Sequence, residues 1–356
     1  MTTYLLAGGG TAGHVNPLLA VADRIRDREP DATVLVLGTA EGLEARLVPQ
    51  RGYELLIIER LPFPRKPGRA ALQFPSKFRR AVAQTSKYIA DRGVDVVVGF
   101  GGYASAPAYI AARTSRVPLA IHEANARPGM ANRFGALFTR SVGVAFRSTR
   151  IRGAQLVGMP LRREIESLDR AATRAEAIAF FGLDPAKPVL LVTGGSLGAR
   201  KINATISSSI ALLLGVGWQV LHIAGNRSEV DDPSLPGYKL MLYCDRMDLA
   251  FAVADLAIAR SGAGTVSELT AVGVPAIYVP YPVGNGEQRF NAKDVVAAGG
   301  ALLVSDGEFT PEWVSAELLP LLRDRATIAS MAVASGSVGT RDGADRMVDL
   351  LSAARH

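Results

Sequence analysis

The sequence predicts an α/β protein of two Rossmann-like domains, each a doubly wound parallel sheet, and three observations carry that reading. Short, nearly uninterrupted apolar runs alternate with helical patterns along both halves of the chain, the signature of strands buried on both faces. Glycine-rich turns follow several of these runs, as they do at the carboxyl ends of strands in open α/β sheets. The 356 residues exceed one ordinary core, and roughly 150 residues per domain gives two.

In the first half the apolar run 4–7 ends in glycines, a helical pattern covers 17–28, and a strand follows over 33–37. Further strands are expected over 94–98, 119–121 and 142–146. A helix over 170–181 is closed by Gly182, with Pro185 and Pro188 beyond it, a typical stop signal. Strands over 189–193, 219–224, 239–243, 255–259 and 276–279 repeat the pattern, and the domain boundary is expected within 158–163. Residues 344–354 read as a short amphipathic helix.

Composition excludes several classes. Hydrophobic residues at 48% and charged residues at 21% are ordinary for a globular chain and rule out disorder and low-complexity proteins. One cysteine, Cys244, rules out an intrachain disulfide framework and fits a reducing compartment. The first residues lack the basic region of a secretory signal, and no run approaches the roughly 18 apolar residues of a membrane span. The net charge of +7 is unevenly spread, with 24 basic against 11 acidic residues over 1–163 and 16 against 22 over 164–356. A basic half suits nucleic acid, anionic lipid or a phosphorylated substrate.

Four glycine-rich junctions carry the chemistry: Gly8-Gly9-Gly10-Thr11-Ala12-Gly13-His14, Gly99-Phe100-Gly101-Gly102-Tyr103, Gly194-Gly195-Ser196-Leu197-Gly198, and Ser261-Gly262-Ala263-Gly264-Thr265. Glycine lets backbone N–H groups approach a ligand, and a following helix adds unpaired donors and a positive dipole end, so phosphate is the natural guest. The first junction has the spacing of a dinucleotide site, but the acidic residue such a site wants, Glu41, comes late. His14 falls where the helix begins, and an imidazole beside helix N–H donors stays neutral as a general base must, or simply caps its turn. The Ser196 loop suits a diphosphate. Glu268, three residues after Thr265, either completes a capping box or accepts the hydroxyls of a ribose. No Asp-x-Asp triplet is present and the four histidines are scattered, so neither a metal nor another cofactor is indicated.

These junctions, together with His122-Glu123-Ala124-Asn125, Gly158-Met159-Pro160-Leu161-Arg162, Ala199-Arg200 after the third junction, and Arg260 through Glu268, closely resemble in order and spacing the MurG family. These are the bacterial transferases that add N-acetylglucosamine to the lipid-linked muramyl-pentapeptide of peptidoglycan synthesis. The resemblance covers nearly the whole chain. It implies the GT-B fold, two Rossmann-like domains facing a cleft. Residues 1–162 would take the acceptor and the membrane, with the 340–356 helix packing back on them, and residues 163–339 would take the UDP-sugar. It implies His14 as the candidate base, with Tyr103 and Glu123 as further catalytic residues, His14 and Tyr103 facing the acceptor, and Thr11, Ala12, Gly13 and Asn125 lining the donor. Arg162 and Ser196 would hold the diphosphate, Cys244 would lie against uracil, and Ala263, Gly264, Thr265, Val266, Ser267 and Glu268 would hold nucleoside and phosphate, with Gln288 on the sugar. The family's usual Gln is Ala124 here, its Gly-Asn-Pro is Gly158-Met159-Pro160, and its Gln-Gln pair is Glu287-Gln288.

The implied reaction joins UDP-N-acetylglucosamine to lipid I, with inversion, giving lipid II at the cytoplasmic face of the cell membrane. Cell-wall and division proteins are implied as further partners, and nucleic acid is not. Independently of the family, the stretch 60–80 carries Arg60, Arg65, Lys66, Arg69, Lys77, Arg79 and Arg80 with no acidic residue, interleaved with Leu61, Phe63, Leu72, Phe74 and Phe78, and reads as a patch for an anionic membrane surface. The competing readings are another GT-B enzyme, either a glycolipid glycosyltransferase or a UDP-sugar epimerase, and a nicotinamide-binding dehydrogenase or regulator.

Overall fold

The structure, a computed structural model, describes residues 1–64, 68–195, 198–283 and 286–355. It divides into two compact units, Met1–Arg162 with Arg341–His356, and Arg163–Thr340.

The first unit is built on strands β1 (Thr3–Ala7), β2 (Thr33–Gly38), β3 (Glu54–Ile57), β4 (Val96–Gly99), β5 (Leu119–Glu123), β6 (Ser141–Val144) and β7 (Ala154–Leu156). Their order is β3-β2-β1-β4-β5-β6-β7, every pairing parallel. Tyr4, Leu6, Val96 and Val98 face one core with Val15, Leu18 and Ile25 of the helix Ala12–Arg28. Leu5, Ala7 and Val97 face the opposite core with Ala108, Ala111 and Tyr109 of the helix Ser105–Ser115. Continuous apolar runs are therefore consumed on both faces, each buried Leu or Val contributing roughly 1.5–3 kcal/mol.

The helix Gly343–Ala354 completes the first unit, placing Met347, Val348, Leu350 and Leu351 in the core against the helix Ala12–Arg28. Arg24–Asp345 and Arg28–Asp349 pairs flank the seam at 2.8 and 2.7 Å, surface contacts worth little beside the apolar burial. Gly343 lies so close to the Met159 carbonyl that a Cβ there would collide with it.

The second unit repeats the plan with β8 (Val189–Thr193), β9 (Gln219–Ile223), β10 (Tyr238–Met241), β11 (Leu256–Ala259), β12 (Ala276–Tyr278) and β13 (Ala301–Leu303), in the order β10-β9-β8-β11-β12-β13 and parallel throughout. In both units the strand order reverses beside the first strand, at β1/β4 and at β8/β11, which is where open α/β sheets bind ligands.

Three strands escaped the sequence reading: β3, β7 and β13. All lie at sheet edges, are only three or four residues long and are partly exposed, so they lack the fully buried five-residue stretch that marks strands such as β5 and β8. The first helix starts at Ala12 rather than near position 17 and carries Pro17 inside it. The helix Arg170–Phe181 ends on Gly182 at φ 65°, the left-handed cap its sequence announces.

Candidate active site

In the first unit the loops after β1 and β4 pack backbone to backbone. Gly102, at φ +84°, sits against the Gly9 peptide so closely that any side chain would strike the Gly9 carbonyl. Ser105 ties the two loops, its Oγ donating to the Ala7 carbonyl at 3.0 Å and the Gly101 carbonyl at 2.8 Å. The helix Ala12–Arg28 begins at this junction with exposed Thr11, Ala12 and Gly13, whose end presents first-turn N–H donors to solvent.

His14 is half-buried there. Its Nδ1 lies 3.2 Å from the Gly9 carbonyl and 3.3 Å from Thr11 Oγ1. A carbonyl only accepts, so Nδ1 carries the proton and Nε2 keeps a lone pair. Nε2 lies on the Gly101 side, 3.1 Å from where a Cβ at that glycine would sit. Burial pushes the imidazole below its ordinary value, keeping it neutral near pH 7. Tyr103 is half-buried on the same junction, its ring beside Gly10 and under the Arg60 guanidinium at 5.1 Å.

Glu123 is 2% exposed, and both oxygens are engaged: Oε1 accepts from the Asn125 N–H at 2.8 Å, Oε2 from the Gly129 N–H and Asn132 Nδ2, each at 2.9 Å. Asn132 in turn accepts from the buried Tyr109 hydroxyl at 2.6 Å. Burial raises the Glu123 carboxyl. These bonds tie the loop carrying Asn125 to the helix Met130–Gly135. Asn132 was not visible to sequence reading, although a polar residue in a helix ten residues after the His-Glu pair was a signal.

In the second unit, Ser196 and its neighbour Leu197 lie outside the described residues. Around them, Gly195 N donates to Thr193 Oγ1 at 3.3 Å and Gly198 N to the Gly195 carbonyl at 2.9 Å. Gly198 rests on Ser228 and the Ala224 carbonyl, leaving no space for a side chain. Beneath it runs a chain of neutral groups: Tyr238 OH to His222 Nδ1 at 2.8 Å, His222 Nε2 to Asn203 Oδ1 at 3.1 Å, and Asn203 Nδ2 to Ser228 Oγ and Ala224 O, both at 3.0 Å. Burial pushes His222 down to about 4, consistent with the unprotonated ring this chain requires.

The helix Ala263–Ala271 starts after Gly262, so Thr265 lies in its first turn and Glu268 is its sixth residue. That placement overturns a Thr265–Glu268 capping box, which needs the threonine before the helix. Glu268 is half-buried. Ala263, Val266 and Ser267 are buried, and Gly264 and Thr265 half-buried. Cys244 is 6% exposed and burial raises its thiol, while its neighbours Leu242 and Tyr243 are exposed. Gln288 accepts from the Tyr281 N–H at 2.9 Å. A strut missed in the sequence braces that loop: Arg260, after β11, donates to the Val279 and Pro280 carbonyls at 3.0 and 3.1 Å, pairs with Asp306 at 2.5 Å, and lies over the Tyr281 ring at 5.5 Å. Arg162, the last residue of the first unit's main segment, is half-buried.

The basic stretch of the first unit is only partly available. Arg65 and Lys66 lie outside the described residues, and Arg69, Lys77, Arg79 and Arg80 ride the helix Arg69–Asp91. Lys77 pairs with Glu59, and Arg80 lies 3.8 Å from the same carboxylate. Phe74 and Phe78 stack at 5.8 Å and pack onto the core, whereas Phe63 and Leu72 are 60% and 84% exposed. Of the large apolar side chains in this stretch, Phe63 and Leu72 are the exposed ones among the described residues, and Phe74 and Phe78 are half-buried. Among the described residues there is no cluster of metal-ligating side chains, and no helix is long and apolar enough to cross a membrane.

Residues 4–144 match the Glycosyltransferase family 28 N-terminal domain and residues 189–347 the Glycosyltransferase family 28 C-terminal domain. The chain is 64% identical over 351 residues to the UDP-N-acetylglucosamine--N-acetylmuramyl-(pentapeptide) pyrophosphoryl-undecaprenol N-acetylglucosamine transferase of Leifsonia xyli subsp. xyli, covering 99% of this chain and 98% of that one. It is 48% identical to the protein of the same name from Streptomyces coelicolor, over 98% of this chain and 96% of the relative. The crystal structure of Acinetobacter baumannii MurG superimposes with a TM-score of 0.82 at 29% identity, covering 99% of this chain and all of that one. A UDP-GlcNAc 2-epimerase from Neisseria meningitidis, TM-score 0.70 at 15% identity and nearly full coverage of both chains, shares the fold alone. The fold and the two matched family domains therefore define a GT-B glycosyltransferase of family 28. Within that class, the chain belongs to the MurG family.

Proposed function

We propose that this chain transfers N-acetylglucosamine from UDP-N-acetylglucosamine to the 4-hydroxyl of the muramyl sugar of lipid I, inverting the anomeric centre to give the β-1,4 link of lipid II. The observation that carries this is full-length relatedness, 64% identity across 99% of the chain to a transferase of that name.

The acceptor hydroxyl gives its proton to His14 Nε2, its oxygen attacks the anomeric carbon, and the bond to the diphosphate breaks, leaving UDP with the bonding pair. His14 is suited to this by its neutral state and by the Gly9 contact that directs the lone pair to Nε2. Negative charge grows on the diphosphate. Ser196, the N–H groups that follow it, and Arg162 compensate, because preorganised donors aimed at developing charge are usually the largest catalytic contribution. Thr11, Ala12, Gly13 and Asn125 complete the donor site, Tyr103 faces the acceptor, Glu268 takes the ribose, Ala263 to Ser267 support nucleoside and phosphate, Cys244 lies against uracil, and Gln288 reads the sugar. The first unit meets the anionic cytoplasmic face of the membrane through Arg69, Arg79 and Arg80, each worth about 1 kcal/mol near anionic headgroups, with Phe63 and Leu72 inserting.

The test is incubation of the purified protein with UDP-N-acetylglucosamine, with and without the undecaprenyl-linked acceptor. UDP release that requires the acceptor and yields a disaccharide lipid supports the transfer. A free epimeric sugar nucleotide formed without acceptor would place the chain with the epimerases instead.

A further inference from the structure

Glu44 is wholly inaccessible to solvent, yet no cation pairs with it among the described residues. Its Oε1 accepts from Thr39 N at 3.0 Å and Thr39 Oγ1 at 2.8 Å, and its Oε2 from Gly10 N at 2.8 Å. The fold makes room for it, since a Cβ at Gly9, Gly38 or Gly42 would collide with this side chain. An uncompensated buried carboxylate is costly, so its retention calls for a task.

The second bond of interest runs from His14 Nδ1 to the Gly9 carbonyl at 3.2 Å. Gly9 C=O and Gly10 N–H are the two ends of one amide, so Glu44 and His14 grip the same peptide from opposite sides. We propose that Glu44 is a positioning residue for the transfer, holding His14 as the Nδ1–H tautomer and supporting its positive charge through the Gly9–Gly10 peptide. The inference rests on reading His14 as the base.

A carboxylate accepting from an amide N–H polarises the amide, making its oxygen a stronger acceptor, and such chains strengthen one another inside a protein. When Nε2 takes the acceptor proton, the ring becomes a cation whose Nδ1–H already points at that enriched oxygen. No proton leaves Nδ1 and none reaches Glu44. The carboxylate works as a fixed charge in a place water does not screen.

The charged and titratable groups around this junction are few. Glu44 comes from the helix Glu44–Gln50, and Tyr103 from the loop after β4 with Arg60 over its ring. Glu123 lies behind Asn132. On the helix Ala12–Arg28 itself and the elements against its far half stand Asp23 with Arg26 and Arg51, Arg24 and Arg28 with Asp345 and Asp349, and Glu29 with Arg355. These begin nine residues beyond His14, roughly 14 Å along the axis.

The experiment follows the His14 imidazole by NMR titration in the full chain, for the parent, Glu44→Gln and Thr39→Val, alongside thermal melting and the pH profile of kcat/KM. Glu44→Gln should move the His14 midpoint down by roughly half a pH unit and carry the acidic limb of kcat/KM with it. It should also lower kcat about tenfold near neutral pH, with the KM for UDP-N-acetylglucosamine within about twofold. Thr39→Val removes one donor from the carboxylate, concentrates its charge, and should move the midpoint up. It decides the matter should Glu44→Gln fail to fold. A His14 midpoint identical in all folded variants overturns the coupling. A midpoint that moves while the rate profile stays still overturns His14 as the base and leaves the Glu44–His14 link standing.

Discussion

The loop after β1 and the loop after β8 occupy the same position in the same topology, each at the reversal of strand order and each opening a helix, yet they are braced in opposite ways. The first rests on a charge, the buried Glu44 carboxylate under Gly9 and Gly10. The second rests on neutral groups, the line from Tyr238 through His222 and Asn203 to Ser228 beneath Gly198. A negative charge beneath the first loop favours a group that becomes positive during reaction. Beneath a loop proposed to grip an anionic diphosphate, the same charge would repel the ligand, and a neutral network supports the backbone without that penalty. Topology thus supplies two equivalent loop positions, and the residues beneath them differ in the way the proposed roles require, a charge under the loop carrying the proposed base and neutral groups under the proposed diphosphate loop.

Four measurements break or sharpen this contrast. His14→Ala should lower kcat by about 10²–10⁴ while leaving UDP affinity nearly unchanged, because the proposed base and the proposed diphosphate loop belong to different units. Steady-state kinetics with calorimetric UDP titration checks this, and equal losses in both would erase the division of labour. Acid should act through buried histidines in each unit, since burial holds both His122 and His222 at about 4 against an ordinary 6.5. An unfolded chain binds these protons as pH falls below 6.5 and the folded one refuses them until about 4. Stability is therefore complete above 6.5 and declines through that window, by up to about 3 kcal/mol per histidine. NMR titration showing either ring protonating near 6.5 would contradict this. Asn203→Ala should cost roughly 2–3 kcal/mol, because it strands His222 and leaves Ser228 only its bond to the Ala224 carbonyl, and should weaken UDP binding more than it slows turnover at saturation. Denaturant melts and titration test that pairing. Smallest, Asp306→Asn should raise the KM for UDP-N-acetylglucosamine about three- to tenfold with kcat little changed, by loosening the Arg260 strut over the Gln288 loop; this corresponds to about 1 kcal/mol.

The central strands, the glycine turns, the Gly182 cap and the position of His14 at a helix start were all legible from residue order, because each depends on neighbours within a turn or a strand. The capping role considered for Glu268 failed because the helix opens two residues before Thr265. Phe63, Leu72, Phe74 and Phe78 read alike in the sequence, but on the helix Arg69–Asp91 Phe74 and Phe78 are half-buried against the core while Leu72 is exposed, as is Phe63 before the helix. The same interleaved pattern serves either outcome until the helix has a face to bury.

What the sequence determined by itself was the architecture, since near-continuous apolar runs must be covered on both faces and glycine most readily tolerates the tight turns between them. Tertiary structure decided which charges matter. Glu44 reads as one more acidic residue on a helix, and only folding brings it beneath a loop 34 positions away. Arg260 and Asp306 likewise meet only when β11 and β13 are laid in one sheet. A residue's electrostatic role depends on distance in space and on exclusion of water, and neither quantity is defined until the chain has closed on itself.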